Sequence, residues 1–263
     1  MRSPALLLVL ALASCGDGTG GHRVELKTRL RTDLDATNTV TTSMGWTVTL
    51  TRALVATGPL RYYDGEPAFT ASASWPRRFW AALSPIGAAH AHPGHYVAGN
   101  DMGEELLPFS ADLLAGPSDL PPGEGVSGVW RSATFSFATP SAGPVVDALA
   151  GHVAVAEGHA TKGEATIYFS VSAALADVAR TAKDGAVAGC PFDTADVQTS
   201  GTVTVTVKPR VWFNYVDFSA LASGSADAPT VVEPTAVAHL AFAIGLAQLS
   251  AYQFSFTPEG GSP

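Results

Sequence analysis

The chain has 263 residues and a formal net charge of −8, and only 14% of its side chains are charged. A surface of that sign repels nucleic acid and anionic lipid headgroups, which excludes binding to either by bulk electrostatics. Glycine and proline supply 26 and 18 residues, a composition that suits many short strands joined by turns.

The first element reads as a leader. Arg2 is followed by an apolar run from Ala5 through Ala13, too short to cross a bilayer as a mature helix and of the length of a signal-peptide core. The run ends in Leu12-Ala13-Ser14-Cys15. These four residues resemble the lipobox of bacterial lipoproteins, in which a small residue precedes a cysteine that receives a diacylglycerol before cleavage. The resemblance covers only the N-terminal residues. It implies that residues 1–14 are a lipoprotein signal peptide, that Cys15 is lipidated, and that the chain is held to the membrane by acyl chains, each buried methylene contributing about 0.8 kcal/mol. With Gly16 rather than aspartate directly after the cysteine, it also implies the outer membrane of the cell envelope, on the periplasmic or surface face. Lipidation of Cys15 leaves Cys190 alone, so no intramolecular disulfide is expected, and Cys190 reads as a small buried hydrophobe.

Residues 15–23, rich in glycine, read as the lipidated cysteine and a flexible tether, with His22 solvated beside it. Residues 24–257 follow as a single domain, and 258–263 as a disordered tail. Val24 to Thr28 alternates apolar and polar, and Gly45 to Thr51 places Trp46, Val48 and Leu50 on one face, the pattern of half-buried strands. Similar runs cover Ala53 to Thr57, Leu60 to Tyr63, Val129 to Phe137, His152 to Ala156, Ala165 to Val171, Thr202 to Val207 and Val211 to Phe218. Turns are expected at Thr57-Gly58-Pro59, Asp64-Gly65, Pro121-Pro122-Gly123, Lys162-Gly163 and Lys183-Asp184-Gly185. After Pro234, Thr235 to Ser250 spaces Val237, Leu240, Ile244 and Ala247 as one helical face, and Tyr252, Phe254 and Phe256 close the chain as a strand. The expected fold is all-β: an antiparallel β-sandwich, Greek-key or jelly-roll-like, with one short C-terminal helix and a long His-containing loop between Pro67 and Val126.

Three of the seven histidines fall within six residues, in His90-Ala91-His92-Pro93-Gly94-His95. A His-x-His pair on extended chain points both rings to one side, and the Pro93-Gly94 turn can return His95 to the same centre. Three imidazoles suit copper or zinc with one position left open. Asp101 and Glu104 follow closely, with Glu105 beside them, and His152 and His159 flank Glu157 further on; these are the candidates for additional ligands or for carboxylates that orient a ligating ring. His239, on an apolar helix, reads instead as a hydrogen-bonded core residue.

The function expected is transition-metal binding by a lipid-anchored envelope protein. In the order of a Trp-bearing strand, a His-rich insert and a closing aromatic strand, the chain resembles exported copper-binding proteins, although the several cysteines of some of them are absent. No Gly-x-Ser-x-Gly elbow, Walker loop, dinucleotide fingerprint or His-Glu-x-x-His occurs, which argues against an enzyme of those classes. The alternatives are a non-catalytic scaffold that binds an envelope protein or a glycan, and a metal-dependent hydrolase using Glu104 or Glu105 as base.

Overall fold

Alternation sets the first strand. β1 (Arg23–Thr32) buries Val24, Leu26, Thr28 and Leu30 and turns the charged residues between them outward. The computed structural model describes residues 21–68, 96–139 and 142–260. Cys15 and its leader, and the segment carrying His90, His92 and His95, lie outside the described residues.

The short β2 (Thr39–Thr41) leads into β3 (Thr47–Tyr63), whose 17 residues merge three runs that the sequence suggests as separate strands. Gly58-Pro59, expected as a turn, lies within this strand, where it changes partners. Before that point β3 pairs with β2, with β5 (Phe109–Asp112) and with β8 (Ala154–Lys162). Beyond it, β3 pairs with β4 (Asp101–Glu105) on one side and β7 (Gly128–Phe137) on the other. The register slips between Thr57 and Leu60, a place where a proline without an N–H is tolerated.

Pairing continues from β4 through β6 (Ser118–Val126), β1, β11 (Gly201–Val207), β13 (Tyr252–Pro258) and β10 (Ala186–Val197) to β7, and so back to β3. Eight strands thus close a ring, and β8, β9 (Ala165–Ala173) and β12 (Thr230–Val231) extend from β3 as a flank. The all-β expectation holds. The expectation of antiparallel pairing throughout does not, because β1–β11, β10–β13 and β9–β12 are parallel. Nor is Pro121-Pro122-Gly123 a turn. It lies inside β6 opposite a register shift between Leu26 and Thr28, and β4, β5 and β6 occupy what the sequence suggests as loop.

Aromatic side chains fill the ring. Tyr62 stacks on Trp130 with centroids 5.3 Å apart, and Phe135 stacks on Tyr252 at 3.9 Å. Gly103 and Gly125 face each other across β4 and β6, and a Cβ on Gly125 would stand 2.8 Å from the Trp130 ring. The missing side chains make room for the indole.

Among the described residues four short helices, α1 (Val146–Leu149), α2 (Leu175–Ala179), α3 (Pro209–Phe213) and α4 (Val237–Leu246), pack on the strands. The first residues of the run expected as a strand from Val211 to Phe218 belong to α3. Pro209 at its start favours helix, and the adjacent Trp212 and Phe213 are both buried, which a two-residue period does not allow. α4 confirms the expected helix but turns a different face inward: Val237 is 82% and Leu240 48% exposed, whereas Ala238, His239, Phe242 and Leu246 are buried. His239 donates its ring Nε2–H to the Ser172 carbonyl at 2.9 Å, the core hydrogen bond expected of it.

A candidate metal-binding segment on a fixed stem

The chain leaves β3 at Tyr63 and returns to β4 at Asp101, and the residues on either side of the histidine segment run side by side. Asn100 donates its backbone N–H to the Asp64 carboxylate at 2.7 Å and its side-chain amide at 2.8 Å. Gly65 donates to the Ala98 carbonyl at 2.9 Å. These three bonds, with the Asp64 N–H to Asn100 carbonyl at 3.3 Å, zip 64–65 against 98–100.

Both arms then dock on the ring wall at one place. Ala68 donates to the Gly189 carbonyl of β10 at 3.2 Å. The Tyr96 hydroxyl shares a 2.6 Å hydrogen bond with Ser132 of β7, and the Tyr96 ring meets Tyr63 edge-on at 6.5 Å. Gly189, at φ +80°, is the hub: a Cβ there would approach the Ala68 Cβ to 2.6 Å and the Tyr96 ring to 3.1 Å. Only glycine takes that backbone conformation without strain and admits both arms. Burial is the main reason the Tyr96 phenol is pushed up to about 12; the Ser132 hydroxyl opposes the shift, and Tyr63, Cys190 and Asp101 add to it.

The other proposed ligands are dispersed. Glu104 faces Arg61 at 3.8 Å, and with Asp101, Arg23 and Glu124 it lines an open groove of about 240 Å³ on β4 and β6. His159 and Glu157 share one face of β8, where Glu157 pairs with Arg52 at 3.1 Å and the His159 ring lies 5.6 Å from Tyr168. They line a small pocket of about 80 Å³ beside the loop carrying Ala226 and Pro229. His152 stands before β8 and bonds through Nδ1 to the Leu149 carbonyl at 3.1 Å. The stretch from Ala154 to His159 alone spans about 17 Å of strand, so His152 and His159 do not share an ion. His159 pairs with Thr49 and Asp101 with Tyr63, positions separated by some 45 Å of β3 contour. Among the described residues no three His, Cys, Asp or Glu side chains are grouped to hold a metal.

Cys190 is buried, donates its thiol to the Val187 carbonyl at 3.1 Å, and is pushed up to about 12 by that burial. A thiol so protonated is neither nucleophile nor ready ligand. The Tyr96–Ser132–Gly189 anchor escaped sequence reasoning, and its one visible signal was a glycine ahead of Cys190-Pro191 in a strand-like run. Among the described residues no helix is long and apolar enough to cross a membrane. Comparison with protein-family models, with curated proteins and with solved structures found no match, so the site is read from its own chemistry.

Proposed function

We propose that this chain is a lipid-anchored protein of the bacterial cell envelope that captures a transition metal, copper or zinc, through His90, His92 and His95. What carries the reading is the joining of a His-x-His-x-x-His sequence to a stem whose two arms, at Ala68 and Tyr96, are fixed at Gly189. A segment held at both ends loses less conformational entropy when it closes on an ion than one tethered at a single end. Asp101, which opens β4 where the second arm rejoins the ring, is the carboxylate we assign to orienting a ring of this set. Glu104 lines the same groove as Asp101, and His152 and His159 are the further candidates for the set.

The lipobox-like Leu12-Ala13-Ser14-Cys15 supplies the anchor in this reading. Five residues lie between Cys15 and Gly21, a reach of at most about 20 Å. Arg23 and Asp101 line the same groove, so an acylated Cys15 keeps the stem's end of the ring close to the bilayer. We read the ring and its flank as a flattened two-layer arrangement, the sandwich expected from the sequence, with mixed connections.

Equilibrium dialysis of the purified full chain against Cu²⁺ and Zn²⁺, followed by elemental analysis, tests the proposal. The wild type retains a stoichiometric amount of one of these ions, and His92→Ala weakens retention at least about tenfold, the smallest loss typical even of groups behind the ligands. Retention at background, or equal retention by the variant, contradicts it.

A further inference from the structure

Three strands of the ring each send one polar side chain into the apolar interior. Thr28 of β1 is 1% exposed, Tyr62 of β3 is 0% exposed and Glu105 of β4 is 1% exposed. The Thr28 hydroxyl, the Tyr62 hydroxyl and Glu105 Oε2 have no hydrogen-bond partner among the described residues. The other carboxylate oxygen, Oε1, accepts the Leu107 N–H at 2.7 Å.

Register brings the three together. Glu105 pairs with Leu60 and Gly103 with Tyr62, so Glu105 and Tyr62 are diagonal neighbours on one face of the β3–β4 ladder. Between Glu105 and β1 lies β6, and there the residue is Gly123, where a Cβ would stand 3.2 Å from the Glu105 Cβ. Gly123 pairs with Leu26, whose buried face Thr28 shares two residues on. The Thr28 hydroxyl stands close enough to the Tyr62 phenol to act on it as a hydrogen-bond neighbour, without well-formed bond geometry, and Glu105 acts on the same phenol by its charge. Tyr62 is the one titratable side chain from a neighbouring strand shown to interact with Glu105; no described Lys, Arg or His pairs with it.

We propose that Thr28, Tyr62 and Glu105 form an interior site that binds one water molecule, bridging all three side chains. Buried polar groups are rarely left unpaired, and an enclosed water typically makes about three hydrogen bonds. Two hydroxyls and a carboxylic acid offer both donors and acceptors, whereas a carboxylate without a cation would be costly in this surrounding. Burial is the cause that keeps the Glu105 carboxyl protonated, pushing it up to about 7 against the opposing Leu107 N–H. The site is independent of the histidine segment, and its failure leaves the metal proposal untouched.

A crystal structure of the protein at pH 6 tests it directly. The expected result is one density peak within hydrogen-bond distance of Thr28 Oγ1, Tyr62 Oη and Glu105 Oε2, lost in Thr28→Val. Three oxygens turned to bond one another with no peak between them overturns the proposal, as does a peak with the anomalous signal of a metal. Infrared spectroscopy gives an independent readout. A carboxylic-acid carbonyl band at pH 6 that disappears in Glu105→Gln, and shifts in Thr28→Val as the guest loses a partner, agrees with it. If Glu105→Gln does not fold, the Thr28→Val shift decides alone, and an unshifted band or no band in the wild type contradicts the site.

Discussion

Glu105 shows how one buried carboxyl couples the ring to pH. Its folded pKa, about 7, lies above the ordinary value of 4.5 because burial penalises the charge. The folded state therefore holds a proton that the unfolded chain gives up first, and stability falls as pH rises from about 4.5 to about 7. With part of the shift screened by solvent, the lost stability above that window is about 1–3 kcal/mol. Denaturant titrations at pH 5 and pH 8 should show most of that difference in the wild type and little of it in Glu105→Gln. Equal pH dependence in both proteins would remove Glu105 from the account. A second residue, Gly189, holds the stem: Gly189→Ala forces an alanine to positive φ and against Ala68, at a cost of about 1–3 kcal/mol in the same titration. Neither residue declares its role in the sequence. From the sequence Glu105 is a candidate carboxylate or base beside the histidines, and it turns inward only because β4 closes the ring between β3 and β6. Tyr62 and Thr28 are ordinary strand residues until distant strands place them together.

At the scale of elements, what was legible followed local periodicity. β1, β7, β9, β11 and β13 stand close to where alternation put them, because each has one face against the core and one toward solvent or a neighbour. The failures share a cause: Gly58-Pro59 and Pro121-Pro122 look like punctuation, yet both occupy register shifts within strands, and only pairing partners distinguish a bulge from a turn. The helix face of α4 was misread because that segment is apolar nearly all round, leaving the pattern little contrast. Its packing decides: Phe242 meets Trp212 at 6.2 Å and Phe213 at 5.3 Å. Phe242→Ala should therefore cost about 3–5 kcal/mol, while Val237→Ser changes thermal stability by about 0.5 kcal/mol or less. Comparable losses for the two variants would mean that α4 is rotated from the orientation described.

For the molecule as a whole, the ring gives rigidity and its wall gives a place to mount a segment of a different chemistry. Fixed arms at Ala68 and Tyr96, a carboxylate at Asp101 and the start of β1 at Arg23 gather toward one end of the ring. Of the candidate site, the histidine pattern was fully legible in the sequence; the stem was not, because it depends on β10 reaching the same wall as β3 and β7. X-ray absorption spectroscopy of the full chain loaded with the ion it retains in dialysis tests the metal reading most directly. The account predicts nitrogen ligands with the outer scattering of several imidazoles, lost when His90, His92 and His95 are all changed to alanine. A spectrum of oxygen ligands alone, or one that the triple change leaves intact, would contradict it.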